Sequence, residues 1–177
     1  MIVISDTAPI IFFAKVQKLS ILKELYSSIF IPNAVWEELI EPLSKPKKDI
    51  PSDIKYELKA KEEGWLIVKD PESPQYHEIA LNLSKILGRG EAYAIALSLE
   101  LKADLLLIND SEARKLAESK GIKTKWSTEV LIDALKKDIV KDYQEFKELL
   151  NEMIELGLWM EKSLYEQILN KAKSLKK

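Results

Sequence analysis

Ile2-Val3-Ile4-Ser5-Asp6-Thr7-Ala8-Pro9 opens the chain with a short apolar run, then a carboxylate, then a proline that starts helical spacing. Leu105-Leu106-Leu107-Ile108-Asn109-Asp110 repeats the same order far along the chain, and Ser111-Glu112 again lead into a helical pattern. Working outward from these two stretches, residues 2–5, 28–31, 65–68, 104–108 and 122–124 read as strands. Between them, residues 9–15, 32–40, 53–63, 78–87, 91–101 and 112–120 carry helical spacing, with Gly64 and Gly121 placed just past two of these helices. Strand–helix alternation of this kind argues an α/β fold with a mostly parallel sheet covered on both faces. Residues 42–51, with three prolines and three lysines, read as an exposed loop. After Thr128 the pattern is helical throughout (129–137, 141–156 and 161–173), with Gly157 as a break. The expected organisation is one domain, an α/β core over residues 1–128 with a helical C-terminal extension over 129–177.

Composition narrows the chemistry. The 177 residues contain no cysteine, and His77 is the only histidine, so thiolate chemistry is excluded and a zinc site is disfavoured. A net charge of −2 gives no global attraction to nucleic acid, so a polyanionic substrate would need a local basic surface or metal ions. No run approaches the roughly 20 apolar residues of a membrane span, and no basic segment precedes the N-terminal apolar run. A cytoplasmic, soluble protein with no membrane partner is expected. Only Arg89 and Arg114 are arginine, against 25 lysines.

Four carboxylates stand where an apolar segment ends or an apolar helix begins: Asp6, Glu38, Glu91 and Asp110. In an α/β sheet, ligands bind at the carboxyl ends of the strands, so acids from distant segments can meet there. Converging carboxylates repel, and a hard divalent cation is the usual remedy. Each acid also has a plainer reading. Asp6 and Asp110 are well placed to cap the helices that follow them. Glu91 could simply complement a helix dipole, although Ala92, Ala94, Ile95, Ala96 and Leu97 make its helix a nearly buried one. At about 100° per residue Glu38 falls within the arc of Ala34, Val35 and Leu39, whereas Glu37 falls outside it. Gly88-Arg89-Gly90 follows a helical pattern and is no dinucleotide loop; a phosphate-binding Gly-Lys-Ser loop is absent. Lys45, Lys47 and Lys48 read as a solvated loop, His77 as a helix-surface residue. Trp36, Trp65, Trp126 and Trp159 read as core or interface side chains rather than base-stacking platforms.

Taken in order, Asp6-Thr7-Ala8-Pro9, Val35-Trp36-Glu37-Glu38-Leu39, Gly88-Arg89-Gly90-Glu91-Ala92, Ile108-Asn109-Asp110 with Ala113-Arg114, and Gly157-Leu158-Trp159 resemble the PIN domain family. The resemblance is closest to a subfamily carrying the Gly-Arg-Gly-Glu-Ala segment, and it covers nearly the whole chain. It implies a three-layer α/β/α fold and a Mg²⁺- or Mn²⁺-dependent endoribonuclease leaving 5′-phosphate and 3′-hydroxyl ends. Many such proteins are toxins held by an antitoxin protein. The family's acidic quartet falls on Asp6, Glu38, Glu91 and Asp110. Asp6, Glu91 and Asp110 would be the metal ligands, and Thr7 a hydroxyl support. Glu38 would lie behind the ligands, bind a second ion or orient the attacking water. Ile108 stands where many members have Thr, and Asn109 where this subfamily commonly has an acid.

Two other readings compete. A catalytically inactive PIN-fold scaffold would use the acids as caps and its helical tail as a docking face. An aspartate-based phosphotransfer domain would need an acid pair after one strand and a lysine at a later strand end; Thr7 and Ala8 follow Asp6 instead. In the tail, Phe146, Leu149, Leu150, Met153, Ile154, Leu158 and Trp159 form an apolar stripe that Tyr165, Ile168 and Leu169 extend. It must be covered by the core, a second copy or a partner. The expectation is packing on the core together with a homodimer.

Overall fold

The computed structural model describes residues 1–44 and 49–176. Five short parallel strands, β1 (Val3–Ser5), β2 (Ile29–Ile31), β3 (Leu66–Val68), β4 (Leu105–Leu107) and β5 (Thr124–Lys125), form one sheet in the order β3-β2-β1-β4-β5. The two stretches that opened the sequence reading are therefore neighbours, with Val3, Ile4 and Ser5 opposite Leu105, Leu106 and Leu107. Strand order reverses between β1 and β4, the switch point at which α/β sheets open a crevice beyond their carboxyl ends.

Successive strand residues point to opposite faces, and this alternation builds two cores. Val3, Ile29, Ile31, Leu105 and Leu107 join one apolar layer. That layer is covered by α1 (Thr7–Lys15), α2 (Ser20–Tyr26), α4 (Ser52–Glu62), α8 (Ser127–Lys136), α9 (Tyr143–Glu155) and α10 (Lys162–Leu175). Ile4, Leu106 and Ile108 join the other, under α6 (Arg89–Leu101) and α7 (Ser111–Ser119). α3 (Asn33–Ile40) gives Val35, Trp36 and Leu39 to the first layer. It gives Ala34 to a small cluster with Ala80 of α5 (Pro74–Leu83) and with Tyr93 and Ala96 of α6. The result is the expected three-layer α/β/α fold with a parallel sheet.

Most expected elements form within two residues of their expected ends. Three do not. α2 was not anticipated: its seven residues lack a capping side chain and are held instead by burial of Ile21, Leu22, Leu25 and Tyr26. The helix expected over 78–87 runs four residues earlier, because Pro74 starts it behind Ser73. The fifth strand is only Thr124–Lys125. In the loop expected over 42–51, Glu41–Ser44 forms a short 3₁₀ turn, while Lys45, Lys47 and Lys48 lie outside the described residues.

The tail stripe is consumed largely by the chain itself. Phe146, Leu149, Leu150, Met153 and Leu158 are buried in the same apolar layer as Val3 and Leu107, and Ile154, Tyr165, Ile168 and Leu169 pack against it. Gly157, at φ +106°, makes the reversal between α9 and α10 that a side-chain-bearing residue would make only under strain. Trp159 is the exception. It is 82% exposed, so its reading as a core residue is wrong. Among the described residues, no helix is long and apolar enough to cross a membrane.

Candidate active site

β1 delivers Asp6 directly to the crevice. Its N–H donates to the Leu107 carbonyl at 2.9 Å, which fixes it level with the end of β4. Asp6 is 5% exposed and stands at the N-cap position of α1, yet its side chain makes no capping hydrogen bond of normal geometry. The capping reading fails here. Burial, with the negative charges of Glu91 and Glu38 added to it, pushes its carboxyl up to about 7; the nearby N–H groups of Thr7 and Ala8 offset only part of this.

Asp110 behaves differently. Its Oδ1 accepts from the N–H groups of Glu112 at 2.9 Å and Ala113 at 2.7 Å, so it does cap α7. A carboxylate has two oxygens, and no protein hydrogen bond occupies Oδ2 among the described residues. Glu91 is held in the same one-sided way: its Oε2 accepts from the Gly88 N–H at 2.7 Å across the first turn of α6. Burial raises its carboxyl pKa, reinforced by Asp110 and Glu38 and opposed by the Gly88 N–H. Like charge thus links Asp6 to Glu91 and Glu38, and Glu91 in turn to Asp110 and Glu38.

Glu38 is not buried in an apolar arc; it is exposed on α3 at the rim. Its carboxylate is nonetheless anchored, accepting from the Thr7 hydroxyl and, at 3.2 Å, from the Gly90 N–H. Thr7, expected as a hydroxyl support beside Asp6, donates instead to Glu38. Gly90 explains itself by close approach: a Cβ there would lie 2.9 and 3.0 Å from the two Glu38 oxygens and 3.2 Å from Asp6 Oδ1. Any side chain at 90 would push into the acid cluster. Sequence reasoning missed this role, although the Gly-Arg-Gly spacing was its signal. It also missed that Arg89 pairs with Glu37 at 2.7 Å, tying α6 to α3 beside the acids.

Asn109 does not add a fifth ligand-like group. Its amide donates to the Ser127 hydroxyl at 2.9 Å, and its carbonyl oxygen accepts from the Ser127 N–H, also at 2.9 Å, clamping the end of β4 to the start of α8. Ile108 is fully buried in the second core.

No lysine or arginine forms an ion pair with any of the four acids among the described residues. The donor set, hard carboxylate oxygens without nitrogen or sulfur, suits Mg²⁺ or Mn²⁺. As they stand, Asp6 and Glu38 meet at Gly90, and among the described residues no three acidic or histidine side chains are grouped closely enough to hold a metal ion. The carboxylates fit a divalent cation by chemistry and by unrelieved charge.

Beside Asp110 the crevice continues into a pocket of about 600 Å³ between α1, the segments following β4 and β5, and the α9–α10 turn. A family model described as PIN domain matches residues 2–174, and the chain belongs to that family. No curated protein matches the chain.

Proposed function

We propose that this PIN-domain chain is a metal-dependent endoribonuclease that hydrolyses RNA phosphodiester bonds. PIN domains are generally nucleases and typically use divalent metals. The observation that carries the proposal is Asp6: a buried carboxylate that makes no capping hydrogen bond, has no ion-pair partner among the described residues, and feels the charges of Glu91 and Glu38 at the switch point of the sheet. Asp6, Glu91 and Asp110 would hold Mg²⁺ or Mn²⁺. When bound, the cation would neutralise the cluster, polarise the scissile phosphate and stabilise the leaving oxygen.

The chain's own residues do the positioning. The Gly88 N–H fixes one oxygen of Glu91, and the first turn of α7 fixes one oxygen of Asp110, so that Glu91 Oε1 and Asp110 Oδ2 carry no protein hydrogen bond among the described residues. Glu38, steadied by Thr7 and Gly90, would accept a hydrogen bond from the attacking water and orient it. A cation held by Asp6, Glu91 and Asp110 would also explain how an acidic protein takes a polyanion, by supplying positive charge where the chain, among the described residues, has none of its own.

A toxin role with an antitoxin protein partner, action in the cytoplasm and a homodimer complete the proposal on the strength of the family. For the dimer there is also the exposure of Leu81 (51%) and Ile86 (71%) on and just after α5. The same reading takes residues 1–128 as the core and 129–177 as its extension within one domain, since α9 and α10 share an apolar layer with β1.

The test is cleavage of a single-stranded RNA oligonucleotide, abolished by EDTA and restored by Mn²⁺ or Mg²⁺, with Mn²⁺ raising the melting temperature. Cleavage that persists in EDTA sinks the metal mechanism. The second reading, an inactive scaffold, is favoured by the absence of a closed three-acid cage among the described residues. It predicts neither cleavage nor stabilisation by Mn²⁺.

A further inference from the structure

We infer that the pocket beside Asp110 is a nucleobase subsite, with Trp159 as its stacking surface; this rests on the nuclease reading above. Its volume of about 600 Å³ is within the roughly 300–1,000 Å³ of small-ligand sites. Asn109, Asp110 and Ser111 line it on one side, so it is continuous with the acid crevice. A strand whose phosphate lies among the acids therefore has an adjacent base within reach of the pocket.

The walls choose base over backbone. Phe12, Trp126, Leu158, Trp159, Met160 and Leu164 give a mainly apolar lining, and among the described residues no lysine or arginine forms part of it. A phosphate would find no partner there; the faces of a planar heterocycle would. Glu161 and Thr128, on the same lining, supply oxygens for exocyclic amino groups.

Trp159 is built as a platform. Leu158 is buried and roots the segment in the first core, while Gly157 sets the turn before it. That leaves the adjoining indole 82% exposed at the pocket. An exposed aromatic at such a site stacks on any base, since every base has a π-face. Of the sequence reading of Trp159 as a core or interface residue, this exposure removes the core alternative.

The experiment titrates the tryptophan fluorescence of the full chain, in EDTA, with guanosine 5′-monophosphate and with ribose 5-phosphate. The nucleotide quenches, the sugar phosphate does not, and Trp159→Leu abolishes the response while keeping the melting temperature. On RNA with Mn²⁺, Trp159→Leu raises KM by about 5- to 150-fold, the equivalent of one stacked base, and lowers kcat less. Equal quenching by both ligands, no quenching, or an unchanged KM overturns the subsite. Sedimentation decides between occupants: a dimeric wild type made monomeric by Trp159→Leu assigns the pocket to a second copy and refutes the proposal. If no form of the chain cleaves RNA, the nuclease reading fails by itself, and the nucleotide titration still decides the pocket.

Discussion

Asp6→Asn is expected to stabilise the metal-free protein while removing its response to metal. Asn keeps the shape of the side chain and removes the charge. The folded chain raises the Asp6 carboxyl from 3.8 to about 7, first by burial and then by Glu91 and Glu38. A group whose folded pKa is raised contributes stability that is complete below its unfolded pKa and is lost as pH rises through the folded value. At about 1.36 kcal/mol per unit, wild type loses up to about 4 kcal/mol from this group between pH 4 and pH 7, and no more above that. The variant does not titrate there. Relaxation around the crevice reduces the ceiling, so a gain of about 2 kcal/mol at pH 8 is expected, roughly 4–8 °C in melting temperature for a chain of this size. The assay is thermal unfolding of both proteins in EDTA from pH 4 to pH 9, repeated with Mn²⁺. The difference should be near zero at pH 4, widen to pH 7 and then stay level; Mn²⁺ should raise wild type alone. A variant equal to or less stable than wild type at pH 8, or a pH-independent difference, would refute the reasoning.

Gly90→Ala should leave the metal-free fold near wild-type stability, since Ala gains about 1 kcal/mol of helix propensity over Gly and Glu38 can swing away. Displacing that carboxylate from its 2.9–3.0 Å clash should cut RNA cleavage about tenfold or more and weaken the Mn²⁺ shift; wild-type values for both would remove Gly90 from the site. Glu57 tests the same linkage far from the acids. It is buried on α4 with Oε2 unpartnered, and burial, helped by Asp53 and opposed by Lys15, pushes it up to about 8. Glu57→Gln should therefore gain on the order of 1–3 kcal/mol above pH 8 and nothing near pH 4, read from urea unfolding at the two pH values. A gain that is the same at both would show that charge is not the cause.

The fold was legible because its strands are apolar runs between helical periods, and the order Asp6, Glu38, Glu91, Asp110 was legible because each acid breaks such a run. What could not be read was which acids also serve the backbone. Asp6 and Asp110 have the same local signature, a strand followed by a helix start, yet only Asp110 caps. The difference arises from packing, which buries Asp6 between sheet and helices and leaves Asp110 at the edge. Glu38 shows the opposite failure: periodicity put it among apolar neighbours, but α3 lies at the rim and the helix turns that edge outward. α2 was hidden because a seven-residue helix held by tertiary burial carries little signal of its own. Trp159 was hidden because composition cannot distinguish an aromatic that continues a stripe from one that leaves it.

Capping and metal binding are usually weighed as alternatives for such acids, but here the helix ends make the cluster possible without satisfying it. α1, α6 and α7 all begin at the crevice, beside Asp6, Glu91 and Asp110. Each helix N-terminus favours nearby negative charge by about 0.3–1 kcal/mol. That eases the folding of Asp6, Glu91 and Asp110 at these helix starts, with Glu38 of α3 reaching Thr7 and Gly90 beside them. It does not cancel the burial of Asp6, whose carboxyl stays near 7 with the Thr7 and Ala8 N–H groups already acting on it. The remaining strain, up to about 4 kcal/mol, is relieved by a proton, at the cost of the site's charge, and under the proposed function would be relieved by a cation. No lysine or arginine side chain among the described residues takes that place, and the carboxylate oxygens present are those a small divalent ion selects.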